Sequence, residues 1–125
     1  MSSANKAVVT RLIEARNAND TEAFVSLFVP DMQDHMRGAF VGVSRAFPDV
    51  HITLDELIAE GDKVVARWTF NGTHLGNFQD IPATGKSVIW TGIDIYTVRD
   101  GRITSHERKS DMLGLMQQLG VAPSE

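Results

Sequence analysis

Apolar residues change their spacing once along this chain, which divides it into a helical first part and a β-rich second part. Val8, Val9, Leu12 and Ile13 recur at three- and four-residue intervals, predicting a helix that runs to about Asn17. Asn19-Asp20 offers the N-cap of a second helix, with Phe24, Leu27 and Phe28 on one face until Pro30 stops it. A third, short helix is expected from Ala39 to Ala46, against the low helix propensity of Gly38 and Gly42. Phe47-Pro48-Asp49 then breaks the chain.

From Val50 onward the pattern is that of strands. Val50 to Glu60 ends at Gly61-Asp62, and Lys63 to Phe70 follows so closely that the two form an antiparallel hairpin. A longer loop from Gly72 to Gly85 leads to a strand over Ser87–Val98, which Asp100-Gly101 turns into Arg102–Ser110. Met112, Leu115, Met116 and Leu119 mark a closing helix, with Gly120 as its stop. Helices first and an antiparallel meander afterwards predict an α+β fold, with the helices against one face of a curved sheet.

Length and composition narrow the function. A chain of 125 residues makes one domain, 1–125, with a single core. A net charge of −4 and scattered basic residues argue against nucleic acid or an anionic membrane as partner. Without cysteine there is no disulfide, thiolate metal site or cysteine nucleophile, which suits a reducing compartment. The N-terminal run is amphipathic rather than a signal core, and no stretch reaches membrane-spanning length, so a cytoplasmic location is expected. The four histidines do not form a metal motif, and no metal is expected.

The order of segments resembles the SnoaL-like polyketide cyclase branch of the nuclear transport factor 2-like superfamily. The resemblance is carried by Phe47-Pro48-Asp49, Leu57-Ile58-Ala59-Glu60-Gly61-Asp62-Lys63-Val64 and Gly72-Thr73-His74-Leu75-Gly76. It continues through Ile81-Pro82-Ala83-Thr84-Gly85-Lys86, Thr91-Gly92-Ile93-Asp94-Ile95-Tyr96, the segment from Asp100 to His106 and that from Asp111 to Gly120, spanning roughly Ala7 to Val121. It implies a cone-shaped α+β barrel enclosing an apolar pocket, a homodimer packed through the outer sheet face, and ring closure by aldol chemistry without metal or cofactor. The superfamily also holds isomerases, dehydratases, epoxide hydrolases and ligand carriers, so the fold implies the pocket rather than the reaction. Two departures stand out: His106 is followed by Glu107 where relatives commonly carry Trp, and the segment between His35 and Phe47 is shorter than usual.

The resemblance aligns Asp111 with the family's acid/base aspartate. One carboxylate in a low-dielectric pocket can take a proton from carbon beside carbonyls and later return it to oxygen. Asp111 also stands directly before the closing helix, where it reads equally well as an N-cap held by backbone amides. His106 is expected to orient or polarise the substrate or to exchange protons with Asp111, or else to be a partly exposed hydrogen-bonding histidine. Their positions differ in parity on a regular strand, so a bulge or the end of the strand would have to bring them together.

His35 matches a histidine found after the second helix in relatives, and either lines the pocket mouth or belongs to a loop. Trp68, Phe70, Phe78, Trp90 and Tyr96 are the expected aromatic lining, although packing alone accounts for aromatics in strands. Asp94 lies among them and is costly to bury without a partner, making it a second candidate carboxylate or a structural acceptor. The leading expectation is a cofactor-independent enzyme acting on a small hydrophobic carbonyl compound. The rivals are a non-catalytic carrier of an apolar ligand, another superfamily reaction, and a structural module with a vestigial pocket.

Overall fold

The computed structural model describes residues 2–122. Four helices and four strands follow one another as α1 (Ser2–Asn17), α2 (Thr21–Val25), α3 (Pro30–Ala46), β1 (His51–Glu60), β2 (Lys63–Thr73), β3 (Ser87–Arg99), β4 (Arg102–Ser110) and α4 (Met112–Leu119). The strands form one antiparallel sheet in the order β1-β2-β3-β4, curved and open, with the helices on its concave side. This is the α+β arrangement that the change of period predicts.

The helices form where burial and capping agree. On α1, Val8, Val9, Leu12 and Ala15 are buried, and the helix lies across β1 and β2. The Asp20 side chain caps α2 by accepting from the Ala23 amide at 3.1 Å. The third helix is longer than the sequence pattern suggests, because Pro30 opens it instead of ending the second. Proline suits the first turn of a helix, where its fixed φ is already helical and its missing N–H is not needed. Gly38 and Gly42 are tolerated because both face open space, while Met36, Phe40 and Ala46 supply the buried side.

Two bulges set which residues face inward. In β1 the pairing slips between Leu54 and Glu56, so the inward positions change from Ile52 and Leu54 to Leu57 and Ala59. In β4 the slip falls beside Thr104: Val98 pairs with Ile103, whereas Thr97 pairs with Ser105. On β2 the alternation is regular, with Val64, Ala66, Trp68 and Phe70 all buried.

The interior divides into two clusters. One joins α1 and α2 to Val64, Tyr96, Val98 and Ile103; the other gathers Phe47, Phe70, Phe78, Trp90, Leu115 and Leu119. The loop between β2 and β3 belongs to the second cluster. Phe78 and Ile81 exchange backbone hydrogen bonds of 3.0 and 2.8 Å, and Phe78 packs edge-on against Phe47 at 5.3 Å. The fully buried His74 ties the same loop together, its Nδ1 accepting from the Thr84 amide at 3.2 Å.

Asp111 caps α4. Its Oδ1 accepts from the Gly114 amide at 2.9 Å, and Gly120 ends the helix in the left-handed region at φ 80°. Replacing Asp111 by Ala is expected to lower stability by about 1 kcal/mol, and Asn, itself a good cap, by less. Urea denaturation of the two variants checks this; equal stability of Asp111→Ala and wild type would remove the capping role.

Candidate functional site

The slip in β4 builds the site. A two-residue turn with regular alternation would have set Glu107 opposite Asp94; the extra residue at Thr104 moves the register by one. Asp94 therefore pairs with Arg108, and Tyr96 with His106, all on the inward face. On the other side, Asp94 pairs with Ala66, whose small side chain leaves room for the carboxylate and its partners.

Asp94 is almost completely enclosed, its side chain 1% exposed, and it accepts four hydrogen bonds. Arg108 supplies two, from Nε to Oδ1 at 2.9 Å and from Nη2 to Oδ2 at 3.0 Å. His106 Nε2 reaches Oδ2 at 3.0 Å, and the Tyr96 hydroxyl donates to the same oxygen at 2.9 Å. Burial alone would push the Asp94 carboxyl up, but the hydrogen bonds and charge of His106 and Arg108 overcome it and hold the group well below the usual carboxylate range. Asp94 is thus a fixed anion. Burial and then the Asp94 charge drive the Tyr96 phenol far above its ordinary value, so it stays a neutral donor. Desolvation pulls the Arg108 guanidinium down, but the hydrogen bonds and charge of Asp94 outweigh it and raise the group above its ordinary value.

His106 is positioned from two directions. Its ring stacks on Tyr96, with centroids 4.7 Å apart and planes 14° from parallel, while Asp94 anchors Nε2. The carboxylate requires a proton on Nε2 and leaves Nδ1 for other chemistry. The Arg108 guanidinium also lies 5.1 Å from the Trp68 ring, which meets Trp90 edge-on at 5.3 Å. Neither indole N–H has a hydrogen-bond partner in the protein.

These groups face a cavity of about 320 Å³ between the two core clusters. The sheet side contributes Trp68, Phe70, Trp90, Asp94, Tyr96, His106 and Arg108. The helices contribute Leu12, Arg16, Phe24, Met36 and Phe40, with the exposed His35 on α3 at the edge. Seven of the nine residues singled out in the sequence therefore share one cavity.

The other two lie elsewhere. Phe78 is taken up by the second core cluster, and Asp111 is exposed at the start of α4, on the far side of β4's last residue. The Asp111 side chain borders a separate, more open depression with Asp55, Arg67 and Lys109 on the outer sheet face, apart from the cavity that the other candidates share. Arg108 and Arg16 were not foreseen. Arg108 depends on the bulge, which leaves no mark in the sequence. Arg16 did leave one, since it continues the three- and four-residue spacing of Val9 and Leu12. Among the described residues no group of three or more His, Cys, Asp or Glu is placed to hold a metal.

Asp94→Asn leaves Arg108 without its counter-ion and is expected to cost roughly 2 kcal/mol at pH 7, since water reaches the half-exposed guanidinium. Because folding lowers the Asp94 pKa, its contribution is complete above the ordinary value of 3.8 and fades as pH falls below it. The stability gap between wild type and Asp94→Asn should therefore narrow between pH 7 and pH 3 in urea titrations. A gap independent of pH would contradict the ion-pair account.

Comparison with known proteins agrees with this architecture. The model of the SnoaL-like polyketide cyclase family matches residues 6–119. The aklanonic acid methyl ester cyclases DnrD of Streptomyces peucetius and DauD of Streptomyces sp. strain C5 are each 30% identical over 90% of this chain, covering 88% and 80% of their own lengths. Among solved structures, TsrD of Streptomyces laurentii superposes with a TM-score of 0.89 at 31% identity, over 95% of this chain and 96% of that one. AclR of Streptomyces galilaeus, a candidate hydroxylase, gives 0.91 at 26% identity over 99% and 89%. With nearly its whole length matched, the chain belongs to the SnoaL-like polyketide cyclase family.

Proposed function

We propose that this protein is a cofactor-independent enzyme of the polyketide cyclase type, closing a ring by aldol chemistry on a small hydrophobic carbonyl compound held in the cavity. The observation that carries the proposal is the His106–Asp94 pair in the cavity wall. His106 takes a proton from the carbon flanked by carbonyls. The resulting enolate carbon bonds to the acceptor carbonyl carbon within the same molecule, and the oxygen left negative recovers the proton from the imidazolium. No electrons leave the substrate, so the step balances without an oxidant.

Asp94 does not act as the base in this scheme. It is a saturated anion that holds the imidazole in one tautomer and stabilises the imidazolium while the proton is away. Arg108 keeps Asp94 in place. The mainly aliphatic and aromatic wall supports an apolar substrate, and a wall of this kind shields the developing charges from water.

The test uses aklanonic acid methyl ester, the compound for which two relatives are named, as the probe. His106→Ala is expected to lower kcat by about 100-fold or more while leaving probe affinity within a few-fold. Unchanged turnover would remove His106 from the mechanism. Binding without turnover in the wild type, unaffected by His106→Ala, would favour the carrier reading instead.

A homodimer and a cytoplasmic location are part of the same proposal. Ile58, Ile89, Ile93 and Ile95 are 53%, 58%, 44% and 41% exposed, and all stand on the sheet face away from the helices. An apolar row of this kind supports pairing with a second copy through that face. Among the described residues no helix is long and apolar enough to cross a membrane. Sedimentation should show a dimer that Ile93→Lys splits; a monomeric wild type would refute the assembly.

A further inference from the structure

Arg16 is a buried cation without a counter-ion. It projects from α1 with only 5% of its surface exposed, and it forms part of the cavity wall. Its Nη1 donates to the Phe40 carbonyl at 3.2 Å, and its Nη2 donates to the Ser44 hydroxyl. The guanidinium carbon lies 3.6 Å from the centre of the Phe40 ring. These contacts orient the group but carry no negative charge to balance it. Its Nε has no partner at all, and among the described residues no carboxylate pairs with it.

A guanidinium stays protonated in a protein, and here burial lowers its pKa only to about 10. An unpaired buried charge is expensive, and an arginine that served packing alone could be replaced by an apolar side chain at no loss. The remaining charges of the cavity sharpen the point. Asp94 and Arg108 cancel one another, so the cavity wall carries a net positive charge inside a chain whose total is −4.

We propose that Arg16 is a carboxylate-binding residue, and that the natural substrate is a carbonyl compound bearing a free carboxylate at the helix-side end of the cavity. This rests on the cavity being the ligand site. It adds that the ligand is oriented by its charge: the carboxylate on α1, the reacting carbonyls toward His106 on β4. Guanidinium and carboxylate match in shape and charge, and their pairing in a water-poor cavity gives both binding and a single orientation.

The experiment compares 9,10-anthraquinone-2-carboxylate with its methyl ester, two flat carbonyl compounds that differ chiefly in charge. The chain has two tryptophans, and both line the cavity, so quenching of their fluorescence reads binding directly. The wild type should bind the carboxylate roughly ten- to hundredfold more tightly than the ester. Arg16→Met should lose that preference while keeping its affinity for the ester, which also shows that its cavity is intact. Arg16→Lys, which keeps the charge but not the fork, should retain part of it. If Arg16→Met does not fold, the wild-type ratio and Arg16→Lys decide the matter.

Equal affinity of the wild type for both probes, no binding of the carboxylate, or a preference that survives Arg16→Met would each overturn the assignment. Failure of the cavity reading looks different: the neutral ester would also fail to quench either tryptophan.

Discussion

The carboxylate of Asp94 is enclosed by protein and satisfied on both oxygens, and the sheet side of the cavity wall is arranged around it. Burying a carboxylate is costly, and in this chain the cost is met by drawing four hydrogen bonds from three neighbouring side chains. Each neighbour is fixed in return. Tyr96 is held as a neutral donor, His106 is given one tautomer and one orientation, and Arg108 is kept against the two indoles. One anion thereby converts flexible polar side chains into a rigid surface. Rigid placement of this kind is what acid/base chemistry needs, because a group already in position loses little entropy on reaction.

That surface exists because the sheet is irregular where it matters. The additional residue at Thr104 turns His106 and Arg108 inward and Glu107 and Lys109 outward. Ala66 and Gly92 clear space around the cluster. A methyl group at Gly92 would lie 2.4 Å from the Trp68 ring, so only glycine lets that indole cross β3 toward Arg108. The helices complete the cavity from the other side, leaving a space between the two core clusters instead of closing it. Core packing and the cavity wall share residues, Tyr96 and Trp90 among them.

The main elements were legible because their signals are local. A three-to-four spacing on α1, alternation on β2, Asp-Gly before β4 and Asp before α4 each specify structure without reference to distant residues. Pro30 misled because proline both ends one helix and begins another, and only packing of Met36 and Phe40 decides which. At the site, the family pattern and the aromatic strands pointed to residues that the structure gathers in one cavity wall, and Asp94 stood out as a charge among apolar neighbours. Its partner did not. A one-residue bulge reverses the facing of every later position, and its location depends on tertiary fit, so nothing local marked Arg108 as facing inward. For Asp111 the local signal, a helix cap, describes its place in the structure.

The measurement closest to the centre of this account is the tautomer of His106, read from the nitrogen shifts and long-range proton couplings of its neutral imidazole by NMR. The Asp94 anchor predicts a proton on Nε2, an unprotonated Nδ1, and loss of that single state in Asp94→Asn. A proton on Nδ1, or a mixture of tautomers indifferent to Asp94, would contradict the account.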